Sequence, residues 1–255
     1  MNVKDCWDAK YYKKHSAGQY KSGIDFIDKQ EWNGDESVLD VGCGDGRTTA
    51  EIAKCVPNGY VLGIDASQNM IDEAKKSFKD VKNLEFECID AAKFSSDKKF
   101  DQVVSFSVFH WIKDQLAALK NIYNVLKPDG LLYIKMGAYH KGPVTEVYEG
   151  KKWSSFWEGK EETYFPQTVE RFKDMLEKCG FKNIDVKPKI SSRCFQSKDE
   201  IFNWAFAWVP HFTGLPIDKA KEFTNDIVDS ICVANKPGEL ILEIKIFECY
   251  GQKYD

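Results

Sequence analysis

This 255-residue chain has no hydrophobic run long enough to span a bilayer, no C-x-x-C pair and no histidines at metal-ligand spacing. Those gaps exclude a transmembrane helix and argue against a metal centre held by cysteine or histidine, so no metal is expected. Eight cysteines, at positions 6, 43, 55, 88, 179, 194, 232 and 249, stand singly. They read as reduced thiols, several of them small hydrophobes within apolar runs. There is no basic excess either: 36 Lys and Arg face 40 Asp and Glu, for a formal net charge of -4. Nothing global therefore favours nucleic acid or an anionic membrane as partner. Internal repeats and low-complexity tracts are missing. Met1 to Trp7 contain no apolar leader, so the expected location is cytoplasmic.

What is present is a regular alternation of strand and helix from about residue 37, the mark of a parallel sheet covered by helices on both faces. Ser37 to Gly42 reads as the first strand and Gly46 to Val56 as its helix. Tyr60 to Asp65 is the second strand, and Ser67 caps a helix running to about Lys79. Leu84 to Cys88 is a short third strand and Asp101 to Phe106 a buried fourth. Lys113 to Leu126 is an amphipathic helix halted by Lys127-Pro128-Asp129-Gly130. Leu131 to Met136 follows as the fifth strand, then a helix from Gln167 to Cys179 stopped by Gly180. Phe181 to Val186 is the sixth strand and Glu239 to Tyr250 a long last one.

With 43% hydrophobic residues the chain can bury one large core. We divide this single domain into an N-terminal helical clamp (1–34), a ligand-binding core (35–140), a lid (141–166) and C-terminal core elements (167–255). The lid carries Trp153, Phe156, Trp157 and Tyr164. A helical cap inserted at about 195–235 contains the aromatic run Trp204, Phe206, Trp208 and Phe212 and a helix near Ile217 to Val233. The cap reads equally as cover for a ligand and as ordinary helix-packing core.

The densest information lies in Val38-Leu39-Asp40-Val41-Gly42-Cys43-Gly44-Asp45-Gly46-Arg47, an apolar strand running into a glycine turn that carries acid instead of base. Glycines at alternate positions permit a tight turn and a close ligand approach. Asp40 and Asp45 would repel a pyrophosphate and attract an ammonium or sulfonium. A dinucleotide dehydrogenase also begins with strand, glycine loop and helix, but Arg47 occupies the place of its third glycine, which disfavours NAD. Asp65 closes the second strand, where a carboxylate can accept two hydrogen bonds from a ribose diol; Asp90 follows the third, where it can accept from an adenine amine. Taken singly, each acid also reads as a helix cap or a solvated loop residue.

The segment VLDVGCGDG is similar to the first motif of the class I S-adenosylmethionine-dependent methyltransferases. The resemblance implies a Rossmann-like α/β fold with a seven-stranded, mostly parallel sheet, an antiparallel last strand forming a sheet-edge hairpin, and S-adenosylmethionine as cofactor. On that reading Asp40, Gly42, Cys43, Gly44, Gly46, Asp65, Asp90 and Ala91 form the cofactor site. Ala66 and Met70 give apolar contact to the adenine, and Ser105 and Phe106 face the methionine portion. A thiol reagent at Cys43 would then compete with cofactor.

Val104-Ser105-Phe106-Ser107-Val108-Phe109-His110-Trp111-Ile112, with Leu126-Lys127-Pro128-Asp129-Gly130-Leu131, resembles the branch that includes juvenile hormone acid and trans-aconitate methyltransferases, which methylate carboxylic acids. Tyr12 to Gln19 also resembles that branch, with Ser16 where asparagine is usual. The resemblance implies that Gln19 and Trp111 hold the substrate carboxylate by amide and indole N–H donation. His110 is the alternative, a base for a hydroxyl, amine or thiol acceptor. His15, His140 and His211 read as surface or loop residues. The expected partner is a small, possibly apolar acid. A lipid carbon, amine or thiol acceptor and a non-catalytic S-adenosylmethionine-binding protein stay open as alternatives, and monomer and dimer are equally open.

Overall fold

The computed structural model describes residues 5–236 and 238–254. Two short helices come first, α1 (Ala9–His15) and α2 (Ala17–Ile27). The alternating core follows as β1 (Ser37–Val41), α3 (Arg47–Cys55), β2 (Tyr60–Asp65), α4 (Gln68–Ser77), β3 (Leu84–Cys88), β4 (Phe100–Phe106), α5 (Gln115–Val125) and β5 (Leu126–Gly137). Then come α6 (Pro143–Glu149), α7 (Lys151–Trp157), α8 (Val169–Cys179), β6 (Lys182–Cys194), α9 (Lys198–Phe206), α10 (Val209–Thr213), α11 (Ile217–Ala234) and β7 (Ile241–Gln252).

The seven strands form one sheet in the order β3-β2-β1-β4-β5-β7-β6. Neighbours from β3 to β5 are parallel, and β7 is antiparallel to both β5 and β6. Two local signals act as read: Ser67 accepts from Met70 N at 3.2 Å to start α4, and Gly180 ends α8 at φ +99°. The helix expected from Lys113 starts at Gln115 instead, capped by Asp114. Asp129, at φ +62°, turns the chain inside β5, where the register with β4 shifts.

Strand alternation splits the core. Leu39 and Val41 join α5 and α8 on one face through Leu119, Ile122, Phe172 and Leu176. Val38 meets α2, α3 and α4 on the other through Phe26, Ile52, Ile71 and Ala74. A third cluster joins Trp153 of α7 to Trp204 of α9 and Phe223, Ile227 and Ile231 of α11.

Two differences from the sequence reading stand out. The sixth strand runs on to Cys194 instead of stopping at Val186, because it lies at the sheet edge. There Pro188 loses no ladder partner and polar residues such as Lys189 and Ser191 can face water. The segment 141–166 holds α6 and α7, and Trp153, 2% exposed, donates from Nε1 to Asp226 Oδ2 at 2.6 Å, which packs this part of the chain on α11. Among the described residues no helix is long and apolar enough to cross a membrane.

Candidate active site

The glycine turn leaves β1 by hydrogen-bonding its neighbour strand: Gly42 N and Cys43 N both donate to Ile64 O, at 2.7 and 3.0 Å. Gly42, Gly44 and Gly46 all have positive φ, at +77°, +54° and +79°, a region that disfavours any residue with a Cβ. Their surroundings differ. A Cβ on Gly42 would lie 2.2 Å from Val108 Cγ2, and one on Gly46 2.6 Å from Phe86 Cζ, so both positions are closed by protein. A Cβ on Gly44 would meet nothing within 4 Å. Of the three, Gly44 is the one that opens a cradle to a ligand, a narrower result than the even glycine spacing suggests.

The parallel register pairs Asp40 with Gly63 and Asp65 with Cys88, so Asp40, Asp65 and Asp90 lie at the carboxyl ends of three neighbouring strands. Asp40 is 1% exposed and accepts from Thr49 Oγ1 at 2.7 Å; burial outweighs that bond and pushes its carboxyl up to about 7. Asp65 accepts from Ser67 N at 2.8 Å and from Gly44 N at 3.0 Å, yet burial raises it to about 6. Buried acids this hard to ionise are suited to a ligand bringing positive charge or hydroxyl donors. Asp90 accepts from Ala92 N at 2.9 Å and caps the 3-10 turn Ala91–Lys93, so its cap role is real, while its Oδ2 has no partner among the described residues. Ala91 is buried in the same turn, Ala66 is exposed at the loop, and Met70 is buried on α4.

Other candidates take different places. Asp45 is not available to attract a cation: Arg47 Nε pairs with it at 2.9 Å, and Arg47 Nη2 donates to Ser16 Oγ at 2.6 Å, anchoring the α1–α2 junction on the glycine loop. Ser105 is fully buried and spends its hydroxyl on Val41 O at 2.8 Å, while Phe106 packs against Phe26 and Tyr133. Ser105 thus ties β4 to β1, and Phe106 packs the sheet against α2. Cys43 is buried, its thiol raised well above the ordinary range by burial and by Asp65, so the expected competition by thiol reagents has no reactive thiolate to support it.

Beyond β4 the chain makes a 3-10 turn, Phe109–Trp111, entered through Ser107 at φ +61°. His110 Nδ1 accepts from Gly137 N at 3.1 Å, and burial lowers its pKa to about 3. The ring is therefore neutral with its proton on Nε2, a donor in place of the proposed base. Trp111 is boxed by aromatic rings, Trp7 at 5.9 Å, Tyr164 at 5.2 Å, His211 at 5.3 Å and Phe212 at 6.4 Å between centroids. Its indole N–H makes no hydrogen bond among the described residues. Gln19, on α2, has a buried Oε1 without a partner. No hydrogen bond joins Gln19 to Trp111; the ring contacts from Trp111 toward α1 run through Trp7 and Tyr12.

Sequence reasoning missed Trp7 and misplaced His211. The latter stacks on Trp7 at 4.7 Å, its Nδ1 is buried without a partner, and burial lowers its pKa to about 4, so it is no surface residue. Its position inside the aromatic run 204–212 was the available signal. Trp7 reaches the site because Asp5 accepts from Ser67 Oγ at 2.9 Å and Asn69 N at 3.1 Å, and Trp7 O accepts from Asn69 Nδ2 at 3.1 Å, latching the chain before α1 onto α4. No group of three or more His, Cys, Asp or Glu among the described residues could hold a metal.

Residues 38–130 match the family described as a methyltransferase domain. The juvenile hormone acid O-methyltransferase of Drosophila melanogaster is 27% identical over 83% of this chain and 76% of its own length. That of Bombyx mori is 28% identical over 88% and 86%. The crystal structure of the YcgJ protein of Bacillus subtilis shares the fold, with a TM-score of 0.65 at 19% identity, covering 92% of this chain and 99% of that one. The domain match over residues 38–130, the sheet order and these relatives indicate an S-adenosylmethionine-dependent methyltransferase with a Rossmann-like fold.

Proposed function

We propose that this methyltransferase transfers its methyl group to a carboxylate on a small, largely apolar molecule. The observation that carries the reading is the acceptor box, which offers neutral donors and no base: His110 Nδ1 is spent on Gly137 N and its ring stays neutral. A carboxylate, with a reference pKa near ~4, is ionised at neutral pH and asks for no base. A hydroxyl, amine or thiol acceptor would call for a proton acceptor that His110 does not supply. The Drosophila and Bombyx relatives, named for a juvenile hormone acid, support the same acceptor class.

When bound, the cofactor supplies an electrophilic methyl group on a positively charged sulfur. Asp65 would accept from the ribose diol, Asp90 from the adenine amine and Asp40 from the ammonium, with Ala66, Met70 and Ala91 against the base. Gly44 leaves the room. On the acceptor side Trp111 and Gln19 would hold the carboxylate by N–H donation, since a half-turn of the Gln19 amide presents its NH₂ to the same buried place as Oε1. Neutral donors orient an anion without the tight ion pair that blunts its attack. The rings of Trp7, Trp111, Tyr164 and Phe212 exclude water, so rate enhancement comes from alignment and desolvation. The test is the pair Gln19→Ala and His110→Ala on an acid acceptor. Gln19→Ala is expected to raise KM at least about tenfold through the lost charge-assisted hydrogen bond; an unchanged KM contradicts the reading.

A further inference from the structure

Arg193, at the outer end of β6, is a half-buried cation that the cofactor site does not use. Its guanidinium lies between the rings of Phe195 and Trp204, 5.1 and 5.5 Å from their centroids. No carboxylate is within ion-pair distance of it among the described residues. The nearest acid acting on it is Glu200, whose Oε2 is occupied by Gln196 N at 2.8 Å, and burial lowers the arginine's pKa. Desolvating a cation without a counter-ion is costly, and the aromatic faces offset only part of that cost. The guanidinium also sits where α2 carries no side chain: a Cβ on Gly18 would be 2.7 Å from Arg193 Nη1. Gln19 is the next residue, and successive side chains on a helix diverge by about 100°, so Arg193 lies against α2 one position from Gln19 without sharing the place of its amide.

We propose that Arg193 seats a second, non-reacting anionic group of the acceptor, so that the preferred acceptor is a dianion whose two charged ends are joined by an apolar segment. The proposal rests on the carboxyl-methylation reading and deepens it. A guanidinium fits a carboxylate with paired N–H donors, and holding the spectator anion there leaves the reacting carboxylate to the neutral donors. The rings of Trp204, Trp208 and Phe212 succeed one another at 5.5 and 5.7 Å and provide the apolar surface for the joining segment.

Binding and turnover are read separately. With S-adenosylhomocysteine present, calorimetry compares glutarate, suberate and dodecanedioate with pentanoate, octanoate and dodecanoate on the wild type, Arg193→Met and Gly18→Ala. At least one diacid is expected to bind about tenfold or more tighter than its matched monoacid, the size of one charge-assisted contact. Arg193→Met is expected to abolish that preference. Gly18→Ala, which keeps the charge but displaces the guanidinium, is expected to weaken the preference with thermal stability retained. Equal binding of matched mono- and diacids by the wild type, equal loss of both in Arg193→Met, or no binding of any acid overturns the proposal. Formation of base-labile methyl ester from S-adenosylmethionine is measured alongside. A diacid preference without ester upholds the Arg193 seat and removes carboxyl transfer; ester formation from both acid types alike removes the seat and leaves carboxyl transfer.

Discussion

Replacing Asp40 by Asn should stabilise the ligand-free protein while impairing it as an enzyme. The unfolded carboxyl titrates near 3.8 and the folded one at about 7, so between those values the folded state holds a proton that the unfolded chain has released. Stability from this group therefore falls as pH rises, and the loss is complete above about 7. At about 1.4 kcal/mol per unit, the three-unit displacement amounts to about 4 kcal/mol near pH 8, and to about 2 kcal/mol near pH 5, where the unfolded group is only partly ahead of the folded one. Asn keeps an oxygen for the Thr49 hydroxyl and brings no charge, so Asp40→Asn should gain up to those amounts. Urea unfolding of wild type and variant, followed by tryptophan fluorescence at both pH values, reads the difference with every titrating group that does not act on Asp40 cancelling, Asp65 being the one that does. A gain larger by about 2 kcal/mol near pH 8 than near pH 5 is expected. Equal effects at the two pH values, or a loss at both, would refute the idea that a buried, reluctantly ionised carboxylate sits at the end of β1.

Cofactor affinity should follow the opposite sense of pH. Asp65, at about 6 in the free protein, accepts hydrogen bonds best when ionised, so through this group calorimetric affinity for S-adenosylhomocysteine should fall about tenfold near pH 5, and Asp65→Asn should remove that part of the dependence while leaving the part set by Asp40 near 7. The glycines should separate by role. Gly44→Val should abolish cofactor binding at a cost to stability of only about 1–2 kcal/mol, the strain of positive φ, whereas Gly46→Ala, colliding with Phe86, should lower Tm more with less specific damage to binding. Because His110 is neutral, with its pKa lowered to about 3, the kcat profile should show no acid limb near 6.5 that vanishes in His110→Ala; such a limb would restore the base reading.

The alternating core was legible because its punctuation is local: Ser67, Gly180 and the 127–130 turn each act through residues within a few positions. The strand-end acids could be located for the same reason, since a parallel sheet puts Asp40, Asp65 and Asp90 at one edge once the strands are found. What neighbours do to them was not legible. Arg47 takes Asp45 two residues away, and Val108 and Phe86, distant in sequence, decide that Gly42 and Gly46 are packing glycines. The extent of β6 depends on pairing with β7 alone, which an exposed, polar, proline-bearing segment does not advertise. His211 and Trp7 meet across about two hundred residues, and only the folded cap and the Asp5 latch bring them to Trp111.

The most direct test of carboxyl transfer is the chemical lability of the product. Incubated with methyl-labelled S-adenosylmethionine and apolar mono- and dicarboxylic acids, the protein should yield a product whose label is released as volatile methanol on mild alkaline treatment, and Trp111→Ala should lose that activity. A labelled product that survives base, formed on an amine, thiol or carbon, would contradict the account.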